Sequence, residues 1–93
     1  MRVNYRLIKI DNLLIIDIRS NFAYNIKSIK NSINLPEAYL EEMIEKNLTI
    51  FPKNKTLVFV CPTGERSLII AKKFYILGYQ AYSLKEGIFS YFS

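Results

Sequence analysis

The chain contains one cysteine, Cys61, in a position that suits a reactive thiol. It follows the apolar run 57–60 and opens the segment Cys-Pro-Thr-Gly-Glu-Arg-Ser, after which a helical pattern begins. A strand, a turn containing Gly64 and a helix N-terminus would direct backbone N–H groups towards the sulfur, where they favour a thiolate and bind anions. Free cysteines are also often small buried hydrophobes, but Gly64 and Arg66 favour the functional interpretation.

The chain has no histidine, and this absence limits the chemistry. A Cys–His pair is impossible, which excludes papain-like and caspase-like proteolysis. One thiol without imidazole cannot supply the four ligands of a zinc site of the common Cys/His kinds, so no such site is expected. A thiolate at Cys61 would depend on N–H groups, the helix dipole and a cation such as Arg66.

Length and composition indicate one small domain, which we assign to residues 1–93. Hydrophobic residues make up 51% of the chain, enough to form a core. A lone cysteine cannot form an internal disulfide, which favours a cytoplasmic location over secretion. The sequence shows neither the apolar region of a signal peptide nor a membrane span, so no membrane partner is expected.

The formal net charge is +5, with Lys and Arg scattered along the chain. The simple interpretation is a solvated basic surface. The alternative is a positive field that attracts small anions to the Cys61 loop. No motif for nucleic-acid binding accompanies the charge, so a nucleic-acid partner is not expected.

Apolar patterns and turn residues predict alternating strands and helices. The predicted strands are 3–10, 13–17, 33–35, 56–60 and 80–84. The predicted helices are 20–24, 36–46, 66–77 and a terminal helix or turn at 87–92. The first two strands are joined by a short turn and are expected to pair antiparallel. The remaining alternation implies a parallel sheet covered by helices on both sides, with ligands beyond the carboxyl ends of its strands.

Burial and capping follow from the same patterns. Strand 33–35 is expected to be buried, and strand 56–60 to be central. The short helix 20–24 is expected to be capped by Ser20 or by the Asp17 region. Helix 66–77 ends before Gly78, a residue typical of the position after a helix. Its core stripe contains Ile70, Ala71, Phe74 and Leu77. A second covered face is indicated by Leu68, Ile69 and Ile76.

Segment 61–67 resembles the C-x-x-G-x-R-S active-site loop of single-domain rhodaneses, which are thiosulfate or persulfide sulfurtransferases. Segment 17–19 is similar to the family's D-V-R, segment 33–36 to its I-N-I-P, segment 77–79 to its L-G-F and segment 86–91 to its terminal G-G-x-x-x-W. The resemblance implies an α/β rhodanese-like fold. Its central sheet would be mostly parallel, with about five strands and helices on both faces.

The resemblance implies a two-step sulfur transfer. The thiolate of Cys61 attacks the outer sulfur of a small anionic donor, such as thiosulfate, and becomes a persulfide. A thiophilic acceptor then removes that sulfur, and the resemblance implies no metal and no cofactor. Cyanide, a small thiol or a protein cysteine could serve as this acceptor.

The resemblance makes Cys61 the catalytic residue and the rest of the loop the substrate-binding segment. That segment consists of Pro62, Thr63, Gly64, Glu65, Arg66 and Ser67. A positive φ at Gly64 would let successive N–H groups converge on the sulfur, and Pro62 has no N–H to contribute. Arg66 would bind the incoming anion or form a salt bridge with Glu65 or Asp17.

Three further residues have supporting or structural interpretations. Ser67 is expected to steady the start of the helix. Asp17 and Arg19 are possible supporting residues, more as organisers of a strand end than as chemical participants.

Several residues depart from the family pattern. Ala23 replaces a glutamate, so Arg19 is expected to lack its usual carboxylate partner. Lys27 and Ser28 replace Gly-His, and Tyr91 replaces a tryptophan. These departures leave open a non-catalytic rhodanese-fold module with an interaction, regulatory or redox-sensing role. A phosphatase is disfavoured, because four residues separate the cysteine from the arginine and phosphatase loops have five.

Overall fold

The computed structural model describes residues 2–3, 12–48 and 51–92, and of residues 2–3 the backbone only. Strands and helices alternate along this part of the chain, as the sequence predicts. The strands are β1 (Arg2–Val3), β2 (Leu13–Asp17), β3 (Ile33–Asn34), β4 (Thr56–Val60) and β5 (Gln80–Leu84). The helices are α1 (Asn21–Ile26), α2 (Glu37–Glu45), α3 (Glu65–Ile76) and α4 (Gly87–Tyr91). The bounds of β2, β4 and β5 are those predicted.

Within the described residues, the strands form one sheet in the order β1-β5-β4-β2-β3. Each of its four strand pairings is parallel. β4 lies at the centre, as its continuous apolar sequence predicts. Because β2 and β5 run parallel to β4, their carboxyl ends reach the edge of the sheet where residue 61 lies. This arrangement confirms an α/β fold with a mostly parallel sheet of about five strands.

Side chains after the start of β4 alternate between two hydrophobic clusters, one on each face of the sheet. Phe59 and Cys61 belong to the cluster that contains residues of α2 and α3. Val58 and Val60 belong to the cluster that contains Ile88 of α4. The period of two follows from the pleat of a strand. Helices therefore flank both faces, as predicted, and Cys61 faces the α2–α3 side.

The predicted antiparallel hairpin between strands 3–10 and 13–17 lies almost entirely outside the described residues. Of the predicted strand 3–10, Val3 is described, and it pairs parallel with β5, opposite Leu84. In the described sheet, β5 and β4 lie between β1 and β2. β2 pairs with β4 along its whole length and with β3 at Ile16 and Asp17.

Two expectations about burial are wrong. β3 is an edge strand, so Ile33 is 39% exposed rather than buried. On α3, Ile69 and Ile76 are 40% and 81% exposed, so the described residues do not cover a second apolar face. The core stripe itself is confirmed, since Ile70 and Phe74 are fully buried.

α3 is anchored in its C-terminal half, by packing and by a C-terminal cap. Phe74 packs against Phe59 of β4, with ring centroids 5.0 Å apart. At the C-terminus, the N–H of Gly78 donates to Tyr75 O at 3.0 Å, and the N–H of Tyr79 donates to Phe74 O at 3.1 Å. These two bonds form a Schellman motif with Gly78 in the position predicted for it.

None of the helices in the described residues has both the length and the hydropathy that a membrane crossing requires.

Candidate active site

Cys61 lies at the carboxyl edge of the sheet, between the last residue of β4 and the first turn of α3. Residues 61–64 form the connecting loop. Cys61 is 2% exposed, whereas Thr63, Glu65 and Arg66 are exposed. The loop therefore keeps its sulfur inside and presents polar side chains to solvent.

The Sγ atom of Cys61 accepts two backbone hydrogen bonds. The N–H of Gly64 donates at 3.1 Å and the N–H of Ser67 at 3.3 Å. The second donor belongs to the first turn of α3, so the positive end of the helix dipole is directed at the sulfur. Both donors follow Pro62 in the chain, which has no N–H of its own. This environment suits an ionised sulfur or an anionic sulfur adduct.

Two buried serines extend the site into the sheet. Ser67 Oγ lies 3.2 Å from Cys61 Sγ and 2.6 Å from Ser83 Oγ. The hydroxyl of Ser83 in turn lies 3.2 Å from the carbonyl oxygen of Gly64, to which it donates. Both serines are fully buried. The role expected for Ser67, steadying the start of the helix, stays a prediction. Ser83 is not among the predicted site residues; its one sequence signal is a hydroxyl within the otherwise apolar run 81–84.

Gly64 occupies a position that requires glycine. Its φ is +90°, in the left-handed region, as expected from the sequence. A Cβ at this position would lie 3.0 Å from both Leu84 O and Glu86 N, tighter than ordinary contacts. The turn between β5 and α4 therefore approaches the loop so closely that a side chain would displace one of them.

The start of α4 holds the other side of the loop. The N–H of Ile88 donates to Cys61 O at 2.9 Å, and the N–H of Phe89 donates to Pro62 O at 3.3 Å. These bonds turn the loop carbonyls towards α4 and leave its N–H groups for the sulfur. A Cβ on Gly87 would lie 2.5 Å from Cys61 O, so the approach needs glycine. The resemblance pointed to Gly87 as part of a motif, but not to this packing role.

Arg66 forms an ion pair with Glu37, the first residue of α2. Its Nε atom lies 3.1 Å from each carboxylate oxygen, and its Nη2 atom contacts Oε2. The partner is Glu37 rather than Glu65 or Asp17, because α2 and α3 bring their first turns together. Glu37 is a site residue that the sequence reasoning missed. Its sequence signal, a carboxylate in the first turn of a helix, is shared by many residues with no such partner.

The ion pair shifts the pKa values of both groups. The hydrogen bonds from Arg66 lower the pKa of Glu37 below 4.5, against the smaller opposing effect of burial. The hydrogen bonds to Glu37, and then its charge, raise the pKa of Arg66. Both groups therefore carry their charges at neutral pH.

Asp17 and Arg19 form a second ion pair at the same edge of the sheet. The Nε atom of Arg19 lies 3.0 and 3.1 Å from the two carboxylate oxygens of Asp17, and Nη2 lies 2.8 Å from Oδ2. Nη2 also donates to Lys27 O at 2.5 Å. Arg19 therefore has a carboxylate partner in Asp17, although the usual glutamate is replaced by Ala23. The side chain folds back on Asp17, two residues earlier, and needs no carboxylate at Ala23.

The Asp17–Arg19 pair organises the end of β2. Asp17 is 1% exposed and also accepts the backbone N–H of Arg19 at 2.9 Å. The amide of Asn34 donates to the carbonyl oxygens of both residues, at 3.0 and 2.9 Å, which links β2 to β3. The cap of α1 is Ser20, whose Oγ accepts the N–H of Ala23 at 3.2 Å. Of the two caps that the sequence left open, the structure thus has Ser20.

The described part of the chain contains no group of three His, Cys, Asp or Glu side chains placed to hold a metal ion.

The site is a buried cysteine on a loop of backbone N–H donors, directly after the central strand of a parallel sheet, and this combination identifies a class of protein that the comparisons name. The chain matches the model of the rhodanese-like domain over residues 3–93, and it belongs to that family. Its fold is similar to that of a rhodanese-related protein from Thermoplasma volcanium. The TM-score is 0.78 at 30% identity, and the match covers 97% of this chain and 88% of that one. A rhodanese-like domain protein from Staphylococcus aureus shares the fold, with a TM-score of 0.76 at 22% identity, over 97% of this chain and 89% of that one.

Two longer proteins contain a similar segment. A tRNA sulfurtransferase from Desulfurococcus amylolyticus is 33% identical over 78 residues, which cover 84% of this chain and 14% of that protein. A tRNA uridine(34) hydroxylase from Buchnera aphidicola is 30% identical over 83 residues, covering 86% of this chain and 27% of that protein. The chain thus spans a small part of each relative. The family and the sulfurtransferase relative support sulfur transfer as the general chemistry.

Proposed function

We propose that the chain is a sulfurtransferase that moves a sulfane sulfur through a persulfide on Cys61. The donor is a small anion such as thiosulfate, or a persulfide, and the acceptor is a small thiol or a protein cysteine. One observation carries the proposal: Cys61 Sγ accepts the N–H groups of Gly64 and Ser67 at the carboxyl end of the central strand. Membership of the rhodanese-like domain family supports the same chemistry.

The first step loads the cysteine. The thiolate of Cys61 attacks the outer sulfur of thiosulfate, a new Sγ–S bond forms, and sulfite leaves with the electron pair of the broken S–S bond. The negative charge of the thiolate moves to the outer sulfur of the persulfide. The N–H groups of Gly64 and Ser67, with the dipole of α3, stabilise charge on this sulfur pair without rearrangement of the loop.

The second step unloads it. The thiolate of an acceptor attacks the outer sulfur, the acceptor persulfide forms, and Cys61 leaves as the thiolate that began the cycle. The same N–H groups stabilise this leaving thiolate. Because Cys61 is 2% exposed, the transferred sulfur is the atom that extends towards the acceptor. The loop therefore needs no imidazole to release it.

The buried serines support both protonation states of Cys61. With a thiol, Cys61 donates to Ser67 Oγ, Ser67 donates to Ser83 Oγ, and Ser83 donates to Gly64 O. With a thiolate, the hydroxyl of Ser67 turns to donate to Sγ, and that of Ser83 turns to donate to Ser67 Oγ. Only two hydroxyl hydrogens rotate between these states. Ser67 and Ser83 are therefore positioning residues that stabilise the sulfur in either form.

Loading with a donor tests the proposal directly. Wild-type protein incubated with thiosulfate should gain the mass of one sulfur atom, and cyanide should remove that mass and yield thiocyanate. The Cys61→Ser variant keeps a small polar side chain in the loop and should do neither. Equal behaviour of the two proteins with thiosulfate and with a persulfide donor would show that Cys61 carries no sulfur, as a non-catalytic module predicts.

A further inference from the structure

Two ion pairs join α2 to α3, and they lie at different distances along α3 from the Cys61 loop. Glu37 pairs with Arg66 in the first turn of α3, next to the loop. Glu41 pairs with Lys73, two turns further along the helix, at 3.1 Å. The two pairs share helices and charge types. A comparison of the two pairs therefore separates the effect of a carboxylate near the sulfur from its effect on the packing of α2 against α3.

Glu37 is paired with Arg66, the cation that an anionic donor would bind. Arg66 is the one basic residue in segment 61–67, and that segment also contains Glu65. Glu37 binds Arg66 through Nε with both of its oxygens and through Nη2 with one. The formal charge of these three side chains is minus one. A donor with two negative charges therefore meets an arginine that is already neutralised and a thiolate that repels it.

We propose that Glu37 determines donor specificity: it disfavours dianionic thiosulfate relative to persulfides that carry no second charge at the sulfur. The proposal rests on the sulfurtransferase function and deepens it. With a persulfide R–S–SH, the thiolate of Cys61 takes the outer sulfur, the proton stays on that sulfur, and R–S⁻ leaves with the electron pair. This donor needs no cation to offset a dianion, so the Glu37–Arg66 pair can stay closed.

The exposure of the pair makes exchange possible. Arg66 is 57% exposed and Glu37 24% exposed, so water can replace either partner. Exposed ion pairs contribute little to stability, and their partners exchange readily with ions from solution. Thiosulfate can therefore displace Glu37, at the expense of affinity. The expected signature of Glu37 is a raised KM for thiosulfate with an unchanged kcat.

The test compares Glu37→Gln with Glu41→Gln and wild type, using thiosulfate and β-mercaptoethanol persulfide as donors. Glu37→Gln should lower the KM for thiosulfate roughly threefold, the size of effect that exposed pairs support. Its kcat, and its KM for the persulfide, should match wild type. Glu41→Gln, the matched control, should change neither KM. A general loss of structure cannot lower the KM for one donor alone.

A second arm tests the pathway of the effect. In an Arg66→Gln background, the Glu37→Gln change should no longer lower the KM for thiosulfate, because the two charges act as one unit. An unchanged KM for thiosulfate in Glu37→Gln, while wild type still forms a persulfide, would overturn the specificity role and leave the sulfurtransferase function standing.

Binding without turnover keeps the two proposals separate. Calorimetry of sulfite binding to Cys61→Ser, with and without Glu37→Gln, needs no sulfur transfer. The Glu37→Gln protein should bind sulfite roughly threefold more tightly, and equal affinity would overturn the role of Glu37. If wild type forms no persulfide from either donor, the function fails, and this measurement still decides whether Glu37 opposes anions at the loop.

Discussion

Two arginines lie at the carboxyl edge of the sheet, and each binds a carboxylate in different surroundings. Arg19 is 12% exposed and its partner Asp17 1% exposed. Arg66 is 57% exposed and its partner Glu37 24% exposed. The first pair is two residues apart in sequence and the second 29. The buried pair thus fixes the path of the chain at the end of β2, whereas the exposed pair leaves Arg66 able to exchange its partner.

The difference follows from solvent access. A buried carboxylate without its cation keeps the full cost of desolvation, so removing one partner of a buried pair is strongly destabilising. An exposed carboxylate without its cation is solvated by water, so little stability is lost. The same water allows an anion to compete for the exposed arginine. The buried pair therefore affects stability, and the exposed pair affects binding.

The largest expected effect comes from breaking the buried pair. Asp17→Asn keeps the shape of the side chain but leaves the guanidinium of Arg19 beside a neutral amide. We expect a loss of about 3 kcal/mol in the free energy of unfolding. Urea unfolding followed by circular dichroism measures it. Glu37→Gln removes the same kind of charge from the exposed pair and should lower stability far less; equal losses would contradict the comparison.

A smaller effect, mainly on binding, is expected from the exposed arginine. Arg66→Gln should raise the KM for thiosulfate roughly fivefold, because the anion then has no guanidinium to bind beside the loop. The midpoint of urea unfolding should fall only slightly, as for Glu37→Gln. Lys73→Gln removes a cation from the same helix, away from the loop, and is the matched control. A similar rise in KM for Lys73→Gln would mean that net charge, rather than Arg66, sets the affinity.

The smallest effect is the acid dependence of the exposed pair. Because Arg66 lowers the pKa of Glu37 below 4.5, the pair contributes stability above about pH 4.5 and loses it as pH falls through the lower, folded value. The difference in urea midpoint between wild type and Glu37→Gln should therefore shrink as the pH falls below about 4.5. Added salt should reduce the difference above that pH. A difference that grows in acid would contradict this assignment.

The sequence predicted the bounds of the strands better than it predicted which strands lie side by side in the sheet. β4 and β5 were predicted with their observed bounds, because each is an apolar run bounded by turn residues. Residues 3–10 were predicted to pair with β2, whereas Val3, the described residue of that segment, pairs with β5; alternation along a strand does not say which strand lies next to it. The position of β3 at the edge of the sheet was missed for the same reason.

The residues of the candidate site also fall into two groups: those that the sequence predicts and those that only the fold brings together. Cys61 and Gly64 could be found from the sequence, since the loop is one continuous segment. Glu37 lies 29 residues from Arg66 and Ser83 lies 16 from Ser67, so only the parallel packing of the elements brings them together. Arg19 was predicted to lack its usual carboxylate partner, because that position is Ala23. The side chain instead folds back on Asp17, a local alternative that the pattern did not reveal.

The contact between the start of α4 and the loop has a consequence for biosynthesis. The carbonyl groups of Cys61 and Pro62 receive their hydrogen bonds from Ile88 and Phe89, each of which leaves the ribosome 27 residues after its partner. A nascent chain therefore carries the thiol without its complete set of supporting hydrogen bonds until α4 emerges. By then every strand of the described sheet has already been made.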